Sequence, residues 1–253
     1  AEVGKAATQG AVLALDPGSG EILALLEGSA LTAIRTGAGS GVATDLLARP
    51  DSRILAVTGT GGQAATQIEA VCTVRSIESV RLFSLDSSEA EALAKRIAGK
   101  GGVPEDIVVA PSAADAISGA DIICTATPSR EPVFSDKDVT DGAHINAIGA
   151  WTPEMCELPP ETVARARVVV DSHEAVLVEA GDLLQPLENG LIDTEHFATE
   201  IGQVINGSVP GRTDDQQITV FKSVGVGTQD VIAARIALRN AEAGELGQRV
   251  ELL

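Results

Sequence analysis

One stretch constrains the fold more than any other: Ser52-Arg53-Ile54-Leu55-Ala56-Val57-Thr58-Gly59-Thr60-Gly61-Gly62-Gln63-Ala64. Ile54 to Val57 is a short apolar run with the look of a buried strand, and Gln63 to Val74 continues with helical spacing. Between them Gly59 and Gly61 make a tight turn, so the pattern is G-x-G-x-x-A, a dinucleotide fingerprint with Ala64 as its last member. Gly59 lets the chain reverse, and Gly61 has no Cβ to block a pyrophosphate. Ala64 lets the helix pack closely on the strand. The unpaired N–H groups and positive dipole end of that helix then face the anion.

The rest of the composition narrows the class. With 253 residues the chain buries a sizeable core, enough for one large domain or two small ones. A formal charge of −18 excludes nucleic acid and anionic membranes as partners, because no basic patch offsets it. No run approaches the roughly 18 apolar residues of a membrane span, and a cytoplasmic protein is expected. Cys72, Cys124 and Cys156 form no CxxC pair and fit a reducing compartment. Cys124 sits in an apolar run, as a packing thiol does. His144, His173 and His196 lack metal-ligand spacing, so no metal is expected.

Taken in order, Ala11 to Leu15 and Ile22 to Leu26 predict a hairpin around Asp16-Pro17-Gly18-Ser19-Gly20. Two strands alone are marginal in water and need partners, from preceding sequence or another subunit. The chain starts without Met, so a preceding N-terminal segment is expected. Leu31 to Leu47 predicts a Gly/Ala-rich helix with Thr32 near its start. Strands are predicted at Val80–Phe83, Asp106–Val109, Asp121–Thr125, His144–Ile148, Arg167–Asp171 and within Ile218–Gly225. Helices are predicted at Ser88–Ile97, capped by Ser87 or Ser88, at Ala113–Ser118 and at Gln229–Ala243, the last returning against Leu31 to Leu47. This alternation predicts an α/β fold: a Rossmann-type doubly wound parallel sheet covered on both faces, with ligands at the carboxyl ends of the strands.

Several segments then assemble into a family resemblance: Arg35-Thr36-Gly37-Ala38, the glycine turn, Thr125-Ala126-Thr127-Pro128-Ser129 and Gly142-Ala143-His144-Ile145-Asn146-Ala147-Ile148-Gly149. Glu157-Leu158, Val170-Asp171-Ser172, Glu200-Ile201-Gly202, Thr219 to Gly225 and Gln229-Asp230 follow in the same order. The set resembles the ornithine cyclodeaminase/mu-crystallin family over nearly the whole chain. The resemblance implies a Rossmann domain at residues 49–223 and a smaller α+β substrate-binding and dimerisation domain from residues 1–48 and 224–253. The family's N-terminal region, which brings an Arg and a Lys to the substrate, is expected to be missing, and Lys5 is no evident replacement.

By that resemblance Arg35 holds the substrate carboxylate, and Arg35 with Asp230 forms the candidate catalytic pair; a helix-surface ion pair is the plain alternative for Arg35. A guanidinium grips a carboxylate bidentately and so aims the neighbouring carbon. The implied cofactor contacts are Thr36, Gly59, Gly61, Gly62, Gln63, Ala64, Ser84, Asp86, Thr127, Asn146, Ala147, Ile148 and Ser223, with Val224 beside the substrate. Lys222 alone would pass for a solvated surface lysine, Asp230 for a helix cap and His144 for packing.

Two departures refine the expectation. Cyclodeaminases carry a proton-transferring Asp two residues after the glycine matched by Gly149, and here Trp151 stands there, with Met155 at a following lysine. Indole exchanges no proton near neutral pH, so cyclisation with ammonia loss lacks its acid/base group. Glu154 is better explained as a solvated turn carboxylate than as its substitute. At the tip after Phe83, Ser84 lacks the usual NAD-selecting carboxylate, Leu85 replaces the arginine that mu-crystallin-like members offer a 2′-phosphate, and an inward-turned Asp86 would repel that phosphate. NAD(H) is favoured over NADP(H), which stays open. The resemblance therefore implies an NAD(P)H-dependent reductase of a small imino acid, or dehydrogenase of the matching amino acid, acting as a homodimer. An ornithine or lysine cyclodeaminase and a non-catalytic nicotinamide-binding protein are the alternatives.

Overall fold

The structure, a computed structural model, describes residues 10–250, so Lys5 lies outside the described residues. The chain opens with an antiparallel hairpin of β1 (Ala11–Leu15) and β2 (Ile22–Glu27). Its turn is pinned by Asp16, whose Oδ1 accepts from the Gly18 and Ser19 amides and the Ser19 hydroxyl. Helix α1 (Gly28–Leu47) starts three residues before the predicted Leu31. The cause is Glu27, whose carboxylate accepts from the Ser29 and Ala30 amides at 3.0 and 2.6 Å and satisfies the free N–H groups of the first turn.

Two compact units divide the chain. One comprises Ala1–Arg35 and Val226–Leu253, the other Thr36–Gly225. In the first, α9 (Gly227–Ala243) lies against β1, and Arg35 ties it to the opening turns of α1. Leu13, Leu23 and Leu25 of the hairpin stay exposed.

The second unit holds a sheet of seven strands: β3 (Ile54–Thr58), β4 (Ser79–Phe83), β5 (Ile107–Val109), β6 (Ile122–Thr125), β7 (His144–Ala147), β8 (Arg167–Val170) and β9 (Thr219–Lys222). All pair in parallel, in the order β5-β4-β3-β6-β7-β9-β8. The chain enters at β3, runs outward through β4 and β5, then restarts at β6 on the other side. The order reverses between β3 and β6, which opens a crevice at their carboxyl ends. The strands are apolar on both sides because helices cover both faces. Leu55, Val57, Leu82 and Cys124 pack with Ile68 of α2 (Ala64–Val74) and Leu93 of α3 (Ser87–Ile97). Ile123, Ile145, Val168 and Val220 pack on the other face with Ile117 of α4 (Ala113–Ile117), Val163 of α5 (Pro160–Arg165), Val176 of α6 (His173–Glu179) and Leu183 of α7 (Gly181–Glu188). Within this unit α1 lies so near α2 that a Cβ at Gly37 would sit 2.6 Å from the Thr66 carbonyl oxygen.

The cap of α3 is a correction. Asp86 holds the position given to Ser87 or Ser88, its Oδ1 accepting from the Ser88 amide and hydroxyl. Helices α5, α6, α7 and α8 (Ile201–Ile205) were not anticipated, although the equally short α4 was.

Candidate nucleotide and substrate site

The glycine turn sits at the reversal point of the sheet. Gly59 follows β3 with φ +89°, and a Cβ there would lie 2.4 Å from the Ala126 carbonyl oxygen in the segment after β6. Only glycine fits both conditions. At Gly61 and Gly62 a Cβ would meet nothing within 4 Å, so the turn borders open space. Ala64 is fully buried at the start of α2, and Gln63 before it makes no side-chain cap. Thr60 Oγ1 and Gln63 Oε1 are buried without a protein hydrogen-bond partner. Buried polar atoms of this kind call for a ligand or water; the Thr60 hydroxyl can donate to a phosphate oxygen, whereas Gln63 Oε1 only accepts.

At the tip of β4, Ser84 Oγ accepts from the Asp86 amide, and Asp86 turns its carboxylate to its own helix. Those Ser88 hydrogen bonds hold the Asp86 carboxyl below the usual range. One of its oxygens is committed to the cap, and Leu85 stands 99% exposed beside it.

Beyond β6 and β7 the decisive group is Glu157, which local sequence signals did not single out. It is wholly buried. Its Oε1 accepts from the Thr127 amide (2.6 Å) and hydroxyl (2.8 Å). Its Oε2 accepts from Thr125 Oγ1 (2.8 Å) and the Gly149 (2.8 Å) and Ala150 (3.2 Å) amides. Burial and then the Asp182 charge push this carboxyl up, while Lys222 and Thr127 pull it back. Every one of its five partners can donate and three are backbone N–H groups that can do nothing else, which is the setting of a carboxylate. Thr127 is thereby fixed on two atoms. Gly149 is required here, since a Cβ would lie 2.4 Å from Thr127 and 2.5 Å from Glu157 Oε1.

Lys222, which reads as a surface lysine in the sequence, is fully buried at the end of β9. Its Nζ donates to the Ala150 carbonyl and pairs with Asp182 Oδ2 at 2.9 Å. Asp182 Oδ1 in turn accepts from the Glu157 and Leu158 amides at 2.6 and 3.0 Å. The one available signal was position: a lysine closing the apolar run Ile218-Thr219-Val220-Phe221 has no exposed face to occupy. A second anchor, Asp171, follows β8. Its Oδ2 accepts from the Ser223 hydroxyl and the Val224 and Gly225 amides at 2.8, 2.9 and 2.7 Å. Ser223 and Val224 are therefore held in a fixed turn, with the Ser223 hydroxyl already committed.

Asn146 lies in β7. Its side chain is sealed inside, with Nδ2 donating to Thr44 Oγ1 of α1 at 2.9 Å and Oδ1 facing His144 Nε2 at 3.2 Å. Asn146 and Ala147 are wholly buried, the Ala147 carbonyl accepts from the Ser223 amide, and the Ile148 amide donates to the Thr125 carbonyl. His144 is fully buried, its Nδ1 lying 2.9 Å from Thr219 Oγ1, and burial pushes its pKa down to about 3. It stays neutral in the fold but titrates near 6.5 when unfolded. Its contribution is thus intact above about pH 6.5 and lost as the pH falls below it, by about 1.4 kcal/mol per unit while only the unfolded chain binds the proton. Urea unfolding at pH 7 and pH 5 is expected to show this loss in wild type and a shallower one in His144→Gln.

In the unit built from both chain ends, Arg35 Nε pairs with Asp230 Oδ1 at 3.1 Å and Nη1 donates to Gln229 Oε1 at 3.3 Å. Asp230 thus serves as the ion partner of Arg35 in the first turn of α9, whose N-cap is Val226. Thr36 follows Arg35 in α1 and is buried. Trp151 is 55% exposed, and Glu154 is an exposed turn carboxylate held down by Thr152. The thiols are inert: burial raises Cys72 to about 11 and Cys124 and Cys156 to about 12. Among the described residues no three His, Cys, Asp or Glu converge as metal ligands, and no helix is long and apolar enough to cross a membrane.

The parallel sheet and its open glycine turn define a dinucleotide-binding α/β protein of the doubly wound kind. The chain belongs to the ornithine cyclodeaminase/mu-crystallin family, whose signature spans residues 2–245. It is 47% identical over 251 residues to a Delta(1)-pyrroline-2-carboxylate reductase of Bacillus cereus, covering 99% of this chain and 76% of the relative. The solved Delta(1)-pyrroline-2-carboxylate reductase of Thermococcus litoralis, in complex with NADH and L-proline, superposes with a TM-score of 0.93 at 40% identity, over 98% of this chain and 76% of that one. An archaeal alanine dehydrogenase dimer with bound NAD matches at a TM-score of 0.90 and 32% identity, covering 99% and 77%.

Proposed function

We infer that this chain is an NAD(P)H-dependent reductase of small imino acids, with a cyclic imine bearing a carboxylate, such as Delta(1)-pyrroline-2-carboxylate, as its substrate class and L-proline as the product. The observation that carries the inference is the likeness to a reductase holding NADH and L-proline, on a chain whose own glycine turn opens onto free space and leaves Thr60 and Gln63 without partners. A bound reduced nicotinamide supplies the hydride. The protein's part is to anchor, orient and exclude water.

Arg35 is the anchor for the substrate carboxylate. Asp230 and Gln229 hold Nε and Nη1, so the plane of the guanidinium is set in advance and Nη2 is left to present. Thr127, fixed by Glu157, and the backbone of Asn146 to Ile148 line the nicotinamide end. Ser84 receives the ribose, with NAD(H) preferred because Leu85, not an arginine, follows it. Reduction of a protonated imine asks for no further acid, which suits Trp151 and the solvated Glu154 at the place where a cyclodeaminase needs its Asp. The smaller unit made from both chain ends is the substrate and dimerisation part. The exposed Leu13, Leu23 and Leu25 support a homodimer through it, and buried reduced thiols suit the cytoplasm.

The test is direct. With Delta(1)-pyrroline-2-carboxylate and NADH, one equivalent of reduced nicotinamide absorbance is expected to disappear per L-proline formed. Ammonia release from ornithine with no net change at that band would point to the cyclodeaminase reaction instead. Arg35→Ala is expected to raise KM for the imino acid by about 10- to 100-fold, the worth of one charged hydrogen-bond pair. The NADH affinity should hold. Equal losses for both ligands would assign Arg35 to structure.

A further inference from the structure

Glu157 does more than brace a loop. In a trans peptide the N–H and the preceding C=O point in opposite directions. The amides of Thr127, Gly149 and Ala150 all donate to Glu157. The carbonyls of Ala126, Ile148 and Gly149 therefore point away from it. The Ala126 oxygen does so toward the glycine turn, lying 2.4 Å from where a Gly59 Cβ would be. Behind these peptides lie two fully buried carboxylates, Glu157 and Asp182, and one ammonium, Lys222, which pairs with Asp182 Oδ2. As a carboxylate, Glu157 is met by five neutral donors and paired directly with no cation.

We propose that Glu157 is a positioning residue that aims three carbonyl oxygens out of the β6 and β7 ends and, with its own buried charge, biases this end of the cleft toward the oxidised, cationic nicotinamide over the neutral reduced one. The bias favours hydride leaving the cofactor. The inference rests on the proposed function, because it needs the nicotinamide near Thr127 and Ile148.

The experiment is calorimetric titration of NAD⁺ and NADH, separately, into wild type and Glu157→Gln. The glutamine keeps the shape and removes the charge, but its NH2 faces backbone donors, so both forms lose some affinity and the ratio of the two losses reads the charge. NAD⁺ affinity is expected to fall about tenfold more than NADH affinity, the size of one charge acting over several ångströms at an intermediate dielectric. Equal losses, or none, would reduce Glu157 to a loop brace and overturn the proposal. Wild type binding neither form would instead sink the proposed function itself, so the two failures are distinguishable. Asp182→Asn carries the same test if Glu157→Gln does not fold. It removes charge from the same buried triad and should shift the ratio in the same sense by less; an unchanged ratio counts against the proposal.

Discussion

Gly61→Val is expected to abolish nicotinamide dinucleotide binding while leaving the protein folded. The two halves of that expectation come from one observation. A Cβ built on Gly61 meets nothing within 4 Å, so the protein itself has room for the side chain. The open space it would fill is the space a pyrophosphate needs to reach the amides at the start of α2. The loss should be at least about a hundredfold in Kd, since two or more charge-assisted hydrogen bonds go together. Gly59 cannot serve for this test, because its φ of +89° and its contact with Ala126 would confound binding with strain. Titration of NADH alongside a thermal melt checks both halves. Wild-type affinity in a folded Gly61→Val would remove the glycine turn from the cofactor site.

The second large effect is on stability. Lys222→Met is expected to cost about 3–5 kcal/mol, because it leaves Asp182 and Glu157 buried together with no cation between them. In a chain of this size that lowers Tm by about 10 °C. The sign with pH follows from the charges. In the variant one carboxyl is pushed further above its unfolded value, so the penalty is full at neutral pH and shrinks as acid protonates that group. Melts of wild type and variant at pH 7 and pH 5 should therefore converge on the acid side. A constant gap would mean that the lysine stabilises by packing its stem and not by its charge.

The sheet strands were legible because burial on both faces leaves continuous aliphatic runs such as Ile54–Val57 and Ile122–Thr125, which no other local structure explains so well. The glycine turn was legible because Gly59 answers a backbone demand that only glycine meets. What stayed hidden were the carboxylates that act at a distance in sequence. Glu157 reaches Thr125 and Thr127 across some thirty residues, and Asp182 meets Lys222 from an unrelated helix. Nothing in the letters near Glu157 distinguishes it from a solvated glutamate. Asn146 stood in a matched backbone run, and nothing local announced that its side-chain amide closes a buried network with Thr44 and His144. The cap Glu27 was missed because glutamate is not among the preferred cap residues, and Asp86 because aspartate and the serines beside it are equally good caps.

The placement of β9 shapes how the molecule can be made. β8 has no neighbour in the sheet except β9, yet about fifty residues separate the two along the chain. During synthesis β7 and β8 must both wait, one with a raw edge and the other with no sheet to join, until Thr219–Lys222 clears the ribosome and slides between them. Half-made chains are therefore the aggregation-prone species, and any shortening that removes this last wedge should yield inclusion bodies rather than a smaller soluble protein.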